Sequence, residues 1–142
     1  MQLTREEIIA TIKLAHRNGE VPNLRQADLW WINLNETNLQ GIDLSQAYLR
    51  RADLSRANLQ GTLLTEADLS GANLSGANLR HAELSRADLH EADLRQADLR
   101  ETDLRGVNLR RAKYNDATLW PANFEPDQMD TIYDSEPGYA FS

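Results

Sequence analysis

Residues 22–126 repeat a five-residue unit, Ala-Asp/Asn-Leu-x-x, in a single register. A large apolar residue stands at the centre of every unit from Leu24 to Phe124, and it is Leu in 19 of the 21 units; the exceptions are Tyr114 and Phe124. On an α-helix five residues advance about 500°, so the leucines would not share one face. On a continuous strand an odd period would send successive leucines to opposite faces. The period therefore excludes both a long helix and a long strand.

Each unit must combine a short extended piece with a bend. The Ala and the Leu are two residues apart, so they point the same way, while the Asp or Asn between them points outward. The glycines of the repeat all occupy the second residue after the centre, where a type II turn needs a positive φ; they are Gly41, Gly61, Gly71, Gly76 and Gly106. A chain that bends every five residues winds into a coil, and stacked coils bury continuous columns of Leu and Ala.

Units such as Ala-Asp-Leu-Ser-Gly at 67–71 and Ala-Asp-Leu-Arg-Gln at 92–96 match the motif of the pentapeptide-repeat proteins. The chain resembles this family over residues 22–126. The resemblance implies an all-β solenoid, a right-handed quadrilateral β-helix with four units in each coil of about 20 residues. The repeats would then form about five coils. The resemblance also implies a protein of cyanobacterial type.

The segment before the repeats, residues 1–21, predicts a capping helix over Leu3–Gly19. A capping box begins at Thr4, and Ile8 and Ile12 share one face of the helix. We expect this face to cover the first Leu layer, because an open coil end exposes core and unpaired backbone. A helix lying on a membrane surface is the alternative, although its polar face is not basic.

The segment after the repeats, residues 127–142, is acidic. The motif degrades before it, with larger centres and with prolines at Pro121 and Pro126. These features indicate that the last coil is plugged and that its edge is blunted. The acidic segment either folds over the last layer as a cap or frays as a tail.

The sequence offers little catalytic chemistry. It contains no Cys, which excludes disulfides and thiolate metal sites. His16, His81 and His90 lack the spacing of metal ligands, and no nucleophilic triad or phosphate-binding loop is present. We therefore predict no enzyme activity, no catalytic residue, no cofactor and no metal. The lack of a signal or membrane-spanning pattern predicts a cytoplasmic protein that makes no membrane contact.

One side of the predicted coil carries an unusual set of aromatic and basic residues. Adding 20 to a residue number gives its neighbour in the next coil, so Trp30 and Trp31 lie beside two arginines at a distance suited to cation–π contact. Exposed Trp beside Arg is typical of interaction hot spots. The candidate interaction surface comprises Trp30, Trp31, Tyr48, Arg50, Arg51, Arg110 and Arg111. Packing of the two tryptophans under the N-terminal helix is the alternative.

A second side stacks Asn38, Asn58 and Asn78 in one column, followed by Asp98. Stacked Asn side chains form hydrogen-bonded ladders along a coil axis, so we interpret this column as structural and not as a ligand site. The other Asp and Asn residues that precede the centres should bond to the turn backbone in the same structural role.

These observations favour a non-catalytic scaffold, a rigid rod that presents side-chain columns to a protein partner. The alternative is a DNA-mimicking protein that binds topoisomerases, as some members of the resembled family do. That role needs continuous acidic columns, whereas here arginines interleave with the acids and the formal net charge is −7. We predict neither a small-molecule substrate nor a nucleic-acid partner, and we expect a monomer or a weak dimer.

Overall fold

The computed structural model describes residues 2–135 of the chain. One helix, α1 (Arg5–Arg17), precedes a rod of stacked coils. Two short strands, β1 (Lys113–Tyr114) and β2 (Ile132–Tyr133), lie at the far end of the rod, and the 3-10 helix Pro126–Met129 comes between them in sequence. No helix among the described residues is both long and apolar enough to cross a membrane.

Each coil of the rod contains 20 residues. Parallel bridges join residues 20 apart on four successive sides, beginning with Asn23↔Asp43 and Asp28↔Tyr48. This spacing agrees with the four units per coil that the resemblance implies. The pairing differs from that of extended strands, because each bridge is isolated. A turn occupies part of every five-residue unit, so each side is too short for a longer ladder.

A hydrogen-bonded turn closes each corner. The amide of the residue three places after the centre donates to the carbonyl of the centre, as from Ala47 N to Leu44 O at 3.0 Å. The second residue after the centre has a φ between 58° and 70° at every corner from Gln26 to Arg111. The predicted positive φ is therefore confirmed, and it holds at corners with a side chain as well as at the glycines.

The interior is a column of leucines flanked by small residues. The centres from Leu29 to Leu59 are fully buried, and the Ala residues two places before the centres are buried with them from Ala47 onward, while Ala27 in the first coil is partly buried. Most of the outward Asp and Asn residues accept a hydrogen bond from the backbone amide two residues later, as Asp68 Oδ1 does from Ser70 N at 3.0 Å; within residues 2–135, Asp28 is an exception, because its Oδ1 has no partner. This confirms their predicted structural role in the turns.

The predicted Asn ladder forms only in part. Asn58 Nδ2 donates to Asn38 Oδ1 at 3.3 Å, as expected. In the next coil, however, Asn78 Nδ2 donates to Gln60 Oε1 at 3.4 Å. The side-chain amides therefore bond along the Asn column between the first two coils and also to the neighbouring column that holds Gln40 and Gln60.

Helix α1 covers the first coil as predicted. Its capping box is complete, since Glu7 N donates to Thr4 Oγ1 at 3.1 Å and Thr4 N donates to Glu7 Oε1 at 3.0 Å. Ile8 and Ile12 are buried in the same hydrophobic cluster as the leucines of the rod. This buried face agrees with a cap on the rod.

The five-residue register does not continue to Phe124, which corrects the prediction. Asp98 bridges to Leu119, 21 residues later, so one extra residue has entered the coil. Thr118 is buried in the place of an Ala, while Leu119, the predicted centre, is 42% exposed. Buried Asn115 accommodates the insertion, because its Oδ1 accepts the Gln96 amide at 3.1 Å in place of a backbone carbonyl.

The acidic C-terminal segment folds over the last coil as far as it is described. Strand β2 pairs in parallel with β1, through bonds such as Asp134 N to Tyr114 O at 2.8 Å. Beneath it, Trp120 stacks on Phe124 with ring centroids 5.0 Å apart and meets Tyr114 edge-on at 5.6 Å. The part of the predicted tail from 136 to 142 lies outside the described residues.

Candidate functional site

The aromatic and basic residues singled out by the sequence lie on one side of the rod, but they form two separate groups. We name the first group, Trp30, Trp31, Tyr48, Arg50 and Arg51, the aromatic patch. It lies on the first two coils, whereas Arg110 and Arg111 occupy the same columns three coils beyond Arg50 and Arg51, on the order of 14 Å away at the usual strand spacing.

Trp31 is the most exposed aromatic residue of the aromatic patch. Its side chain stands at a corner with a φ of 61°, and the residue is 70% exposed; Trp30 is 49% exposed. The tryptophans therefore face solvent, and the alternative that α1 buries them is wrong. Gln2 Nε2 donates to the carbonyl of Trp30, so the contact that the N-terminal segment makes here is with the backbone.

The guanidinium of Arg51 lies over the Trp31 ring, 5.6 Å from the ring centroid, as the column spacing predicts. The next residue in the column is Gly71, and a Cβ built there would meet Arg51 Nε at 3.0 Å. The glycine thus leaves room for the Arg51 side chain to lie flat along the corner. An Arg stacked on Trp gains cation–π attraction and loses little further freedom when a partner binds.

Arg50 is paired within the same side of the rod. Its Nη2 lies 3.3 Å from Asp68 Oδ2. Burial opposes the ionisation of Asp68, but hydrogen bonds from Ser70 and the charge of Arg50 prevail and lower the pKa of this carboxyl below its usual value. The patch therefore presents one arginine in an ion pair and one on an aromatic ring, so its surface is not simply cationic.

A shallow depression of about 260 Å³ continues from the aromatic patch along the corner columns. Arg50, Arg51 and Gly71 line its near end, and His90 and Glu91 line its far end, where His90 Nε2 lies 3.2 Å from Glu91 Oε1. Among residues 2–135, no group of three or more His, Asp or Glu side chains could hold a metal ion.

The two distant arginines contact the C-terminal segment. Arg110 Nε lies 3.8 Å from Asp130 Oδ2, and Arg111 N donates to Asp130 O at 2.7 Å. The sequence placed these arginines in the correct columns, but it gave no signal of the contacts with Asp130, because the segment after Pro126 has no repeat from which to derive a register.

Sequence reasoning also missed Arg5, which holds the helix on the rod. Arg5 Nη1 donates to Asn33 O at 3.0 Å and to Asn35 O at 3.3 Å. These carbonyls belong to the first coil, which has no preceding coil to supply amide donors. No local pattern in the sequence indicates a bond that spans 28 positions, although an Arg in the first turn of the capping helix is compatible with it.

Comparisons with known proteins agree with the repeat and its geometry. The sequence pattern of pentapeptide repeats matches residues 23–61, 62–100 and 82–120. A pentapeptide repeat protein (Rfr23) from the cyanobacterium Cyanothece 51142 is 41% identical with a TM-score of 0.67, and the match covers 68% of this chain and 65% of that chain, less than two thirds of its length.

A pentapeptide repeat protein of the Arabidopsis thaliana thylakoid lumen is 29% identical with a TM-score of 0.65, and the match covers 75% of this chain and 70% of that chain. A search of curated proteins finds no match. Two structures thus share the coil, and the repeat pattern covers well over half of the sequence. The chain belongs to the pentapeptide-repeat family.

Proposed function

We propose that this protein is a non-catalytic interaction module, a rigid rod whose aromatic patch binds a protein partner. One observation carries the proposal: Trp31 is 70% exposed at a corner where φ is 61°, with Arg51 over its ring. Trp31 bears the backbone cost of about 1–2 kcal/mol that every corner residue other than glycine bears, and a side chain so exposed gains little burial energy to offset it. The fold therefore gives no reason for a Trp at this corner.

The composition and rigidity of the aromatic patch support a binding role. Trp, Tyr and Arg are the residues most enriched at binding hot spots. The backbone beneath the patch is held by bonds such as Trp31 N to Arg50 O at 3.0 Å and Arg51 N to Ser70 O at 2.9 Å. A surface ordered before binding loses less conformational entropy on association. The right-handed quadrilateral winding that the resemblance implies would make each side nearly flat.

The DNA-mimicking alternative finds less support. Acidic residues on the sides of the rod are paired with arginines, as in Arg86–Glu66 at 3.4 Å and Arg95–Asp93 at 2.7 Å. Such pairs interrupt a continuous column of negative charge. An assay of DNA supercoiling by purified gyrase tests the alternative directly, and inhibition or drug protection at micromolar protein would favour it over the aromatic patch.

The experiment that tests the proposal is a photo-crosslinking pull-down from cells of the source organism. A variant with Trp30→Ala, Trp31→Ala, Arg50→Glu and Arg51→Glu should lose the captured protein. The matched control is Arg110→Glu with Arg111→Glu, which changes the charge by the same amount on the same columns, at the other end of the rod. Circular dichroism must first show that each variant is folded.

A captured partner is then purified and titrated against each variant by calorimetry. We expect the patch variant to weaken binding at least a hundredfold, since several hot-spot side chains are removed together, and the control to change it little. Equal binding by the patch variant and the wild type would contradict the proposal. Fractionation of the same cells would show the compartment in which the protein lies. The sequence favours the cytoplasm, although the Arabidopsis relative is a protein of the thylakoid lumen.

A further inference from the structure

A groove of about 350 Å³ runs between α1 and the first coil of the rod, on a different side from the aromatic patch. The helix contributes Ile9 and Ile12, with Arg5 at one end and Lys13 and His16 at the other. Residues Thr37 and Asn38 of the first coil form the opposite wall. We name this feature the helix–edge groove.

The wall at Asn38 is an open backbone edge. In every later coil the equivalent residue pairs with the coil before it, as Asn58 N does with Thr37 O at 3.0 Å and Asn58 O does with Leu39 N at 2.8 Å. The first coil has no predecessor, and within residues 2–135 the Asn38 amide and carbonyl have no hydrogen-bond partner. A free N–H beside a free C=O can pair with an added strand.

On the adjacent side of the rod, which carries Asn33, the cap bonds to the same kind of open edge. There Arg5 Nη1 donates to the carbonyls of Asn33 and Asn35 and so replaces the missing coil. At Asn38 the helix lies far enough away to leave the groove between them. The cap thus satisfies the Asn33 and Asn35 carbonyls and leaves the Asn38 backbone groups available.

The groove is cationic and has an apolar wall. Its charged or titratable residues, Arg5, Lys13 and His16, are all basic, while the chain as a whole has a formal net charge of −7. Ile12 is buried and Ile9 is half-buried, so an apolar side chain could cover what remains exposed. The charge and the apolar wall together specify what would fit: an extended segment with acidic and apolar residues.

We propose that the helix–edge groove binds an extended acidic peptide segment of a protein partner by strand addition. The backbone of the segment pairs with Asn38 N–H and C=O. Its apolar side chains lie against Ile9 and Ile12, and a carboxylate reaches Lys13. Helix α1 has 13 residues and is about 20 Å long, which matches about six extended residues.

The test uses a fluorescein-labelled, acetylated and amidated peptide, Glu-Leu-Asp-Leu-Asp-Glu, titrated with the full chain and followed by anisotropy. The chain has two lysines, which provide a matched pair of variants. Lys13→Glu should weaken binding about tenfold or more, because it places a like charge against the peptide. Lys113→Glu, the same change far from the groove, should alter it less than about twofold.

Two further arms separate strand addition from simple charge attraction. A peptide N-methylated at its central residues should lose at least about tenfold in affinity, because it cannot donate to the Asn38 carbonyl. In a ¹⁵N-labelled chain, the Asn38 amide should shift on titration with the unmodified peptide. Trp31→Ala should leave peptide binding unchanged, so this proposal and the aromatic-patch proposal fail or succeed separately.

Three outcomes would overturn the inference. The first is the absence of saturable binding up to about 1 mM peptide, far weaker than strand addition into a charged groove should give. The second is equal weakening by Lys13→Glu and Lys113→Glu. The third is equal binding of the oligonucleotide dT₆, which would show a general polyanion site and not a peptide site.

Discussion

Each end of the rod has backbone groups that no neighbouring coil can pair, and the two ends satisfy these groups by different means. At the N-terminal end, side chains of a helix and its leading segment, Arg5 and Gln2, donate to carbonyls of the first coil. At the C-terminal end the chain continues as a partial coil, and β2 supplies backbone bonds to β1. The repeat thus ends in two ways. At one end a helix and the segment before it supply side-chain donors in place of a preceding coil, and at the other end a last partial coil without the motif supplies backbone bonds.

The chemistry of the two ends differs as well. Arg5 binds backbone carbonyls, which do not titrate, whereas the C-terminal coils rely on carboxylates. Arg95 lies 3.2 Å from Asp134 and 2.7 Å from Asp93, and Arg100 makes a two-bond pair with Asp98 at 2.9 and 2.7 Å. The N-terminal cap should therefore be insensitive to acid at its Arg5 contacts, and the C-terminal cap should not be.

The largest expected effect is at the N-terminal end. Ile8 is fully buried between α1 and the first coil, and we expect Ile8→Ala to lower the free energy of unfolding by about 3 kcal/mol through lost burial and a cavity. Urea unfolding followed by circular dichroism measures it. Leu14→Ala, at a residue 55% exposed on the same helix, should cost less than about 1 kcal/mol. Equal costs would mean that α1 does not act as a cap.

At the C-terminal end, Trp120→Ala should cost about 2 kcal/mol, because the half-buried ring joins Tyr114 to Phe124. Hydrogen exchange should show faster exchange at the Ile132 and Asp134 amides, with α1 unchanged. If α1 loses protection to the same extent, the two ends unfold as one unit and the comparison between them fails.

Replacement of Arg5 by Met tests the donor role at the N-terminal end. We expect Arg5→Met to cost about 1 kcal/mol, the usual net value of such hydrogen bonds at a partly exposed site. Thermal unfolding measures the change. The control is Arg17→Met in the last turn of α1, which removes the same charge and should cost only a few tenths of a kcal/mol from the helix dipole. A neutral Arg5→Met would show that solvent satisfies these carbonyls equally well.

Acid should weaken the C-terminal coils through the pair that Arg100 makes with Asp98. A hydrogen bond from the Arg100 side chain lowers the pKa of Asp98 below the ordinary 3.8, against an opposing effect of burial. Because the folded-state pKa is the lower one, this contribution is present above about pH 4 and is lost as the pH falls through the folded value. We expect less than about 1 kcal/mol from this carboxyl.

Urea titrations at pH 7 and pH 3 measure this loss, and Asp98→Asn should reduce the difference between them. Hydrogen exchange at the lower pH should locate the weakening around Asp98, at the Leu99 and Leu119 amides that pair across its bridge. A pH dependence that the Asp98→Asn variant leaves unaltered would contradict the assignment.

The sequence predicted the rod because the determinants of the rod are local and repeated. The Leu period and the corner glycines, of which Gly71 and Gly76 are the clearest, constrain each unit independently of the rest, so an error at one unit is corrected by its neighbours. The capping box at Thr4 was equally local. The side of the rod that carries Trp31 and Arg51 followed from the same arithmetic once 20 residues were assigned to each coil.

The structure of the two ends of the rod could not be predicted from the repeat pattern. Ala117 and Leu119 fit the motif, yet a single inserted residue moves Leu119 outward and leaves Thr118 to donate its hydroxyl to Leu94 O at 2.8 Å. The motif accepts any residue at the corners, so a one-residue insertion there cannot be detected from the sequence pattern. The Arg5 bonds and the helix–edge groove depend on how a helix docks on the coil, which no repeat specifies.

Thirteen corners of the rod hold residues other than glycine at a φ between 58° and 65°. Each of them carries about the same backbone penalty whatever its side chain, because the strain arises at Cβ. Exchanging Gln, Glu, Arg or His at such a corner is therefore nearly free of conformational cost. The corners are therefore positions at which substitutions can change the chemistry of the outer surface one residue at a time, with little effect on the stability of the rod.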